Sequence, residues 1–161
     1  MKTLILYATK YGATREIAER ISSNLGGATI LDLKQENIPD LAEFDCVIIG
    51  SSLYAGSIRK EAKAFLAKNA DALNGKQIGL FISGMSKDES ENEKMFTSNF
   101  PEAILKAAKV KSLLGGIFNP QKAGGVERFV MKIVTKQKGH VDTIDDEKIK
   151  RFVELFLCLQ E

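Results

Sequence analysis

Residues Lys2 to Ile21 join a short apolar run to a helical repeat through a turn of small and hydroxyl-bearing residues. The run is Leu4-Ile5-Leu6-Tyr7-Ala8, the turn is Thr9-Lys10-Tyr11-Gly12-Ala13-Thr14, and Ile17, Ala18 and Ile21 recur on one helical face. A strand that enters a helix through such a turn makes an anion pocket. The first N–H groups of the helix have no partner within it, and the helix dipole adds partial positive charge there. Gly12 lets the backbone come close to a ligand, and Thr9 and Thr14 bring hydroxyl donors. The same stretch also reads as an ordinary connection in which Thr9 or Thr14 is a plain N-cap. Two phosphate motifs are excluded. The dinucleotide fingerprint needs three glycines where only Gly12 stands, and no G-x-x-x-x-G-K-[ST] string occurs.

The remainder of the chain alternates strand and helix patterns. Gly26-Gly27 ends the first helix, Ala28–Leu33 alternates like a half-exposed strand, and Pro39 lies in a connector. Phe44–Gly50 and Ile78–Ile82 are continuous apolar runs of the kind found in buried parallel strands. A small-residue loop, Ser51-Ser52-Leu53-Tyr54-Ala55-Gly56-Ser57, precedes a helix expected from Ile58 to Leu73. Ser90 to Glu93 offers a capping box, and Pro101 opens a helix to about Lys109. Leu113–Phe118 is expected as a fifth strand and Asp145–Leu159 as the last helix. This order predicts an α/β fold: a doubly wound, five-stranded parallel sheet with helices on both faces. Ligands of such sheets sit outside the carboxyl ends of the strands. Three loops gather there, Thr9–Thr14, Ser51–Ser57 and 84–87.

With 161 residues the chain is expected to form one domain over 1–161. Its 44% hydrophobic and 27% charged content is ordinary for a soluble protein, and no apolar run approaches a membrane span. MKTLILYAT looks like the start of a signal peptide, yet its apolar run leads straight into a helix and reads as the first strand. Cys46 and Cys158 lack metal or redox spacing, so buried free thiols in a reducing cytoplasm are expected. No metal site and no nucleic-acid partner are indicated.

The charge is uneven. Residues 119–140 carry five basic side chains against Glu127 alone, within a chain of net charge +2. Val126, Phe129, Val130, Ile133 and Val134 recur at helical spacing, and Arg128, Lys132 and Lys136 recur at i+4 on another face. Three readings stay open: a helix packed on the domain, an interfacial helix at the inner face of an anionic membrane through 126–138, or a cationic lid for carboxylates. His140, the one histidine, reads as a solvated cap.

The chain resembles the flavodoxins. Thr9-x-x-Gly12-x-Thr14 is similar to their FMN phosphate loop. Ser51-Ser52-Leu53-Tyr54-Ala55-Gly56 and Ser83-Gly84-Met85 stand where that family places its two flavin loops. The resemblance implies a strand order of 2-1-3-4-5, FMN as cofactor, and Thr9, Lys10, Tyr11, Gly12, Ala13 and Thr14 around its phosphate. It also implies that Tyr54 lies against one flavin face. A narrower likeness, in TKYGATREIA, Gly115-Gly116 and RFVMKIVTKQKGHVDT, is to the menaquinone-dependent protoporphyrinogen IX dehydrogenases, with an added segment at 119–140. That branch implies an FMN oxidoreductase of heme biosynthesis, with a porphyrinogen as substrate and a quinone as acceptor. The alternative is a flavodoxin-type electron carrier serving a redox protein. Electron-carrying flavodoxins are usually acidic around the flavin and often clamp it between two aromatics; this chain is slightly basic, and Met85 stands in the second loop. No side chain stands out as a general acid or base.

Overall fold

A computed structural model describes residues 1–35, 37–84, 88–119, 121, 124–125 and 141–158. Apolar runs too short for a helix and bounded by turn residues form the strands β1 (Thr3–Ala8), β2 (Thr29–Asp32), β3 (Cys46–Tyr54) and β5 (Gln77–Ser83). The expected order is observed. With β6 (Ala108–Leu113) the parallel sheet runs β2-β1-β3-β5-β6, and β4 (Ser57–Ile58) pairs antiparallel with the end of β3.

Alternation along each strand divides the core. Leu4, Leu6, Val47, Ile49, Leu80 and Ile82 face α2 (Lys60–Leu73), α3 (Glu89–Asn99) and α4 (Glu102–Ala107). Ile5, Tyr7, Ile48 and Phe81 face α1 (Ala13–Asn24) and the terminal helix α5 (Asp146–Leu157). Burial pushes the Tyr7 phenol above its ordinary pKa, with Asp32 adding to the effect. On the second face Phe152 meets Phe81 edge-on, ring centres 6.4 Å apart, and stacks on Phe156.

Five expectations need correction. Ser51–Tyr54 is not a loop but the end of β3, and the helix begins at Lys60 rather than Ile58. The fifth strand is Ala108–Leu113, upstream of the expected Leu113–Phe118. It is an edge strand, so exposed Lys109 and Lys111 alternate with buried Val110 and mask its apolar pattern. Asp88, not Ser90, caps α3: its carboxylate accepts from the Ser90 N–H, and bonds from Ser90 hold it below the usual aspartate pKa. Cys46 is buried as expected, but Cys158 is exposed.

Ile117–Phe118 (β7) and Val141–Asp142 (β8) pair as an antiparallel ribbon. This ribbon brackets the basic segment, whose Arg128, Lys132, Lys136 and His140 lie outside the described residues. Its base demands glycine. Gly115 has φ 83°, and a Cβ there would fall 1.9 Å from the Thr143 carbonyl oxygen. The fold makes one energetic prediction: Phe152→Ala leaves a cavity under α5 and lowers unfolding free energy by about 3–5 kcal/mol in urea denaturation.

Candidate functional site at the carboxyl ends of the strands

Register brings three strand ends to one rim, with Ala8 beside Ser51 and Ser52 beside Ser83. From Ala8 the chain turns into α1 through Gly12, whose φ of 100° is left-handed and natural only for glycine. Gly12 is the N-cap of α1, and no side chain caps the helix. Thr9 braces the turn instead: the Gly12 N–H donates to Thr9 Oγ1 at 2.9 Å. Neither threonine is therefore the N-cap. The first amides of α1 keep their capacity for an anion, and the Thr9 hydroxyl keeps its own proton to donate.

Thr14 is fully buried, and its hydroxyl lies 2.6 Å from Ser83 Oγ, itself 4% exposed. This bond ties the start of α1 to the end of β5. It occupies one direction of each hydroxyl and leaves the others open.

The side chains expected to form the first flavin loop split between two faces. Ser51 points to the α2 side, accepting from the Arg59 N–H at 2.9 Å and donating to the Ser52 carbonyl. Leu53 packs against the same core. Ser52 and Tyr54, by alternation, belong to the α1 face. Ser52 Oγ is buried without a hydrogen-bond partner, an orphan polar group on the side where α1 begins. Tyr54 is 46% exposed.

Tyr54 is held by a two-residue hairpin turn. Ala55 and Gly56 have φ of 49° and 75°, the left-handed pair such a turn requires, and Ala55 is the one non-glycine residue with positive φ among those described. Asn99 of α3 clamps this turn: its Oδ1 accepts from the Ile58 N–H at 2.9 Å, and its Nδ2 donates to the Gly56 carbonyl at 3.1 Å. Sequence reasoning missed Asn99, which lies 41 residues from its partner and carries no local signal.

Lys10 reaches across the rim. Its Nζ lies 3.9 Å from the centre of the Tyr54 ring and 5.1 Å from that of Tyr11. The third loop is tied down by the Gly84 N–H donating to the Gly115 carbonyl at 2.9 Å, so the ribbon beneath the basic segment is rooted beside it. Met85 lies outside the described residues. A groove of about 510 Å³ runs between the β2–β3 connection and α2, and none of the rim residues lines it. Among the described residues no acidic, histidine or cysteine cluster suits a metal ion.

Comparison with known proteins decides the family: the flavodoxin domain matches residues 4–144. The chain belongs to the flavodoxin domain family. It is 25% identical over 147 residues to the protoporphyrinogen IX dehydrogenase [quinone] of Escherichia coli (strain K12), covering 86% of this chain and 81% of that protein. It is 26% identical over 117 residues to a flavodoxin of Synechocystis sp., covering 70% of this chain and 65% of that one. Among solved structures, a Streptococcus pneumonia TIGR4 flavodoxin superposes with a TM-score of 0.64 at 19% identity, over 98% of this chain and 99% of that one. A short-chain flavodoxin associated with a PDU bacterial microcompartment gives the same score at 17% identity over the full length of both.

FMN is the cofactor of this flavodoxin domain. The residues present fit it: α1 starts without a side-chain cap, Thr9 has a hydroxyl proton to give, and Ser52 Oγ is buried and unserved. The Thr14–Ser83 bond has a measurable consequence. Thr14→Val leaves Ser83 Oγ buried without its partner and costs about 1–3 kcal/mol of apoprotein stability. Ser83→Ala costs a similar amount, and in urea titrations the double variant loses at least about 0.5 kcal/mol less than the sum.

Proposed function

We propose that the protein is an FMN-dependent oxidoreductase that takes electrons from a reduced organic substrate of the porphyrinogen class and passes them to a quinone. The observation that carries the FMN part is the start of α1, where an uncapped first turn, Thr9 and the orphan hydroxyl of Ser52 surround one rim. Thr9 and the first amides of α1 would hold the phosphate. Ser52, Tyr54 and the backbone of Ala55, Gly56 and Gly84 would meet the ring system, with Thr14 and Ser83 holding their elements together. FMN supplies the redox chemistry when bound: it accepts two electrons and a proton from a donor and yields them to an acceptor.

The chain's own part is to bind, orient and bias. No histidine, cysteine or carboxylate lies within Thr9–Thr14, Ser51–Gly56 or Ser83–Gly84, so these segments offer no proton-transfer side chain with a pKa near neutrality. The substrate assignment is supported by similarity to the E. coli dehydrogenase over most of both chains, and by the basic stretch. The two ends of that stretch emerge from a ribbon tied to Gly84. Arg128, Lys132 and Lys136 would then serve the propionates of a tetrapyrrole or an anionic membrane at the inner face. Among the described residues no helix is long and apolar enough to cross a membrane.

A second reading is a flavodoxin-type carrier that hands electrons to a redox protein. It is favoured by the half-exposed Tyr54, which leaves this part of the rim open to a protein partner, and by the similarity to a flavodoxin.

One assay separates the two. The FMN-loaded protein is expected to oxidise protoporphyrinogen IX with a menaquinone analogue, and Arg128→Gln/Lys132→Gln/Lys136→Gln to reduce that turnover by about tenfold while FMN stays bound. Absence of turnover, together with rapid electron exchange with a redox protein, would establish the carrier instead.

A further inference from the structure

Tyr54 ends β3 at the rim, exposed, and the next two residues turn the chain back on itself. Little within this hairpin holds it together. β4 is two residues long and meets β3 through Leu53–Ile58 and Tyr54–Ser57, and the turn sets Ala55 in a left-handed conformation that a residue with a Cβ disfavours. The hold comes from Asn99, the last residue of α3. Its Oδ1 accepts from the Ile58 N–H at 2.9 Å, and its Nδ2 donates to the Gly56 carbonyl at 3.1 Å and to the Met95 carbonyl at 2.8 Å. The amide has one orientation that satisfies these groups, since reversing it would set its oxygen against two carbonyls. Its base is firm. Phe96 and Phe100, both buried, stack with ring centres 5.7 Å apart and fix the end of α3 in the core.

We propose that Asn99 is a positioning residue for the flavin ring, acting through the hairpin to hold Tyr54 in place against one face of it. The proposal rests on the FMN reading above, in which Tyr54 meets the ring system, and adds the residue that prepares that contact. An aromatic side chain stabilises a ring laid on it only in an offset-stacked or edge-on geometry. A hairpin free to open would have to be ordered when the cofactor binds, at a cost in affinity. The Asn99 clamp orders it beforehand, as part of folding. Both Nδ2 hydrogens of Asn99 are already given to backbone carbonyls, so none is left to donate to the cofactor itself. Its influence therefore belongs to the ring end of the ligand. The phosphate end, at the start of α1, is braced separately by Thr9 through the Gly12 N–H.

The test is a double-mutant cycle read as dissociation constants of the apoprotein for FMN and for riboflavin, by fluorescence titration. Tyr54→Leu is expected to weaken FMN by about tenfold and Asn99→Ala by about fivefold. In Tyr54→Leu/Asn99→Ala the affinity is expected to stay within about twofold of Tyr54→Leu alone, because the second change acts through a ring already removed. Each single variant should weaken riboflavin by the same factor as FMN, leaving the ratio between the two ligands as in wild type. Asn99→Asp, which keeps the shape and the bond from Ile58 but turns the donor toward Gly56 into an acceptor, should show the same loss and serves if Asn99→Ala does not fold. A merely structural role would lower stability in urea without this pattern. The proposal is overturned by FMN affinity unchanged in the Asn99 variants or in Tyr54→Leu. It is equally overturned by an Asn99 effect that persists in full without Tyr54, or by a shifted FMN-to-riboflavin ratio. Wild type that binds neither ligand overturns the cofactor reading itself, a failure visible before any variant is made.

Discussion

A helix that begins on a residue with no side chain leaves its opening amides without a local partner, and the organisation of this molecule follows from where that happens. Gly12 takes a left-handed conformation at the mouth of the sheet, and no side chain caps the helix behind it. The amides are polar, directed and held in place by a helix whose other face is sealed in the core by Ile17, Ala18 and Ile21. Such a site favours an anion before any side chain contributes. The rigid parallel sheet fixes its position relative to the ends of β3 and β5, and the Thr14–Ser83 hydrogen bond joins the start of α1 to β5.

The fold was largely legible because buried parallel strands leave continuous apolar runs. Phe44–Gly50 and Ile78–Ile82 could hardly be anything else, and they set the α/β order. Where the reading slipped, a tertiary influence had overridden a local pattern. The lysines of Lys109-Val110-Lys111 hid an edge strand that needs only one buried face. Ser51–Tyr54 looked like a loop because its residues are small or polar, yet it continues β3 and folds back through Ala55-Gly56. Ser90 carried the capping signature, but the helix starts at Glu89, earlier than that signature implies, and Asp88 caps it by accepting from the Ser90 N–H.

The site was legible as a set of segments and not as a set of directions. Strand continuity through Ser51–Tyr54 imposes alternation, so Ser52 and Tyr54 join the α1 face while Ser51 is consumed holding the Arg59 amide. Reading those residues as a loop hid that division. Contacts between distant segments left no trace at all in local sequence. The hold of Asn99 on the hairpin and the position of Lys10 over Tyr54 each join residues more than forty positions apart. The same holds for the ribbon under the basic segment, whose glycine at 115 is required by the carbonyl of Thr143.

The central claim is that the first turn of α1 holds a phosphate group. The most direct measurement compares the affinity of the apoprotein for FMN with that for riboflavin, which has the same ring system and ribityl chain without the phosphate. The account predicts that FMN binds about 100-fold or more tightly, a difference of about 2.8 kcal/mol. Equal affinities for the two would contradict it.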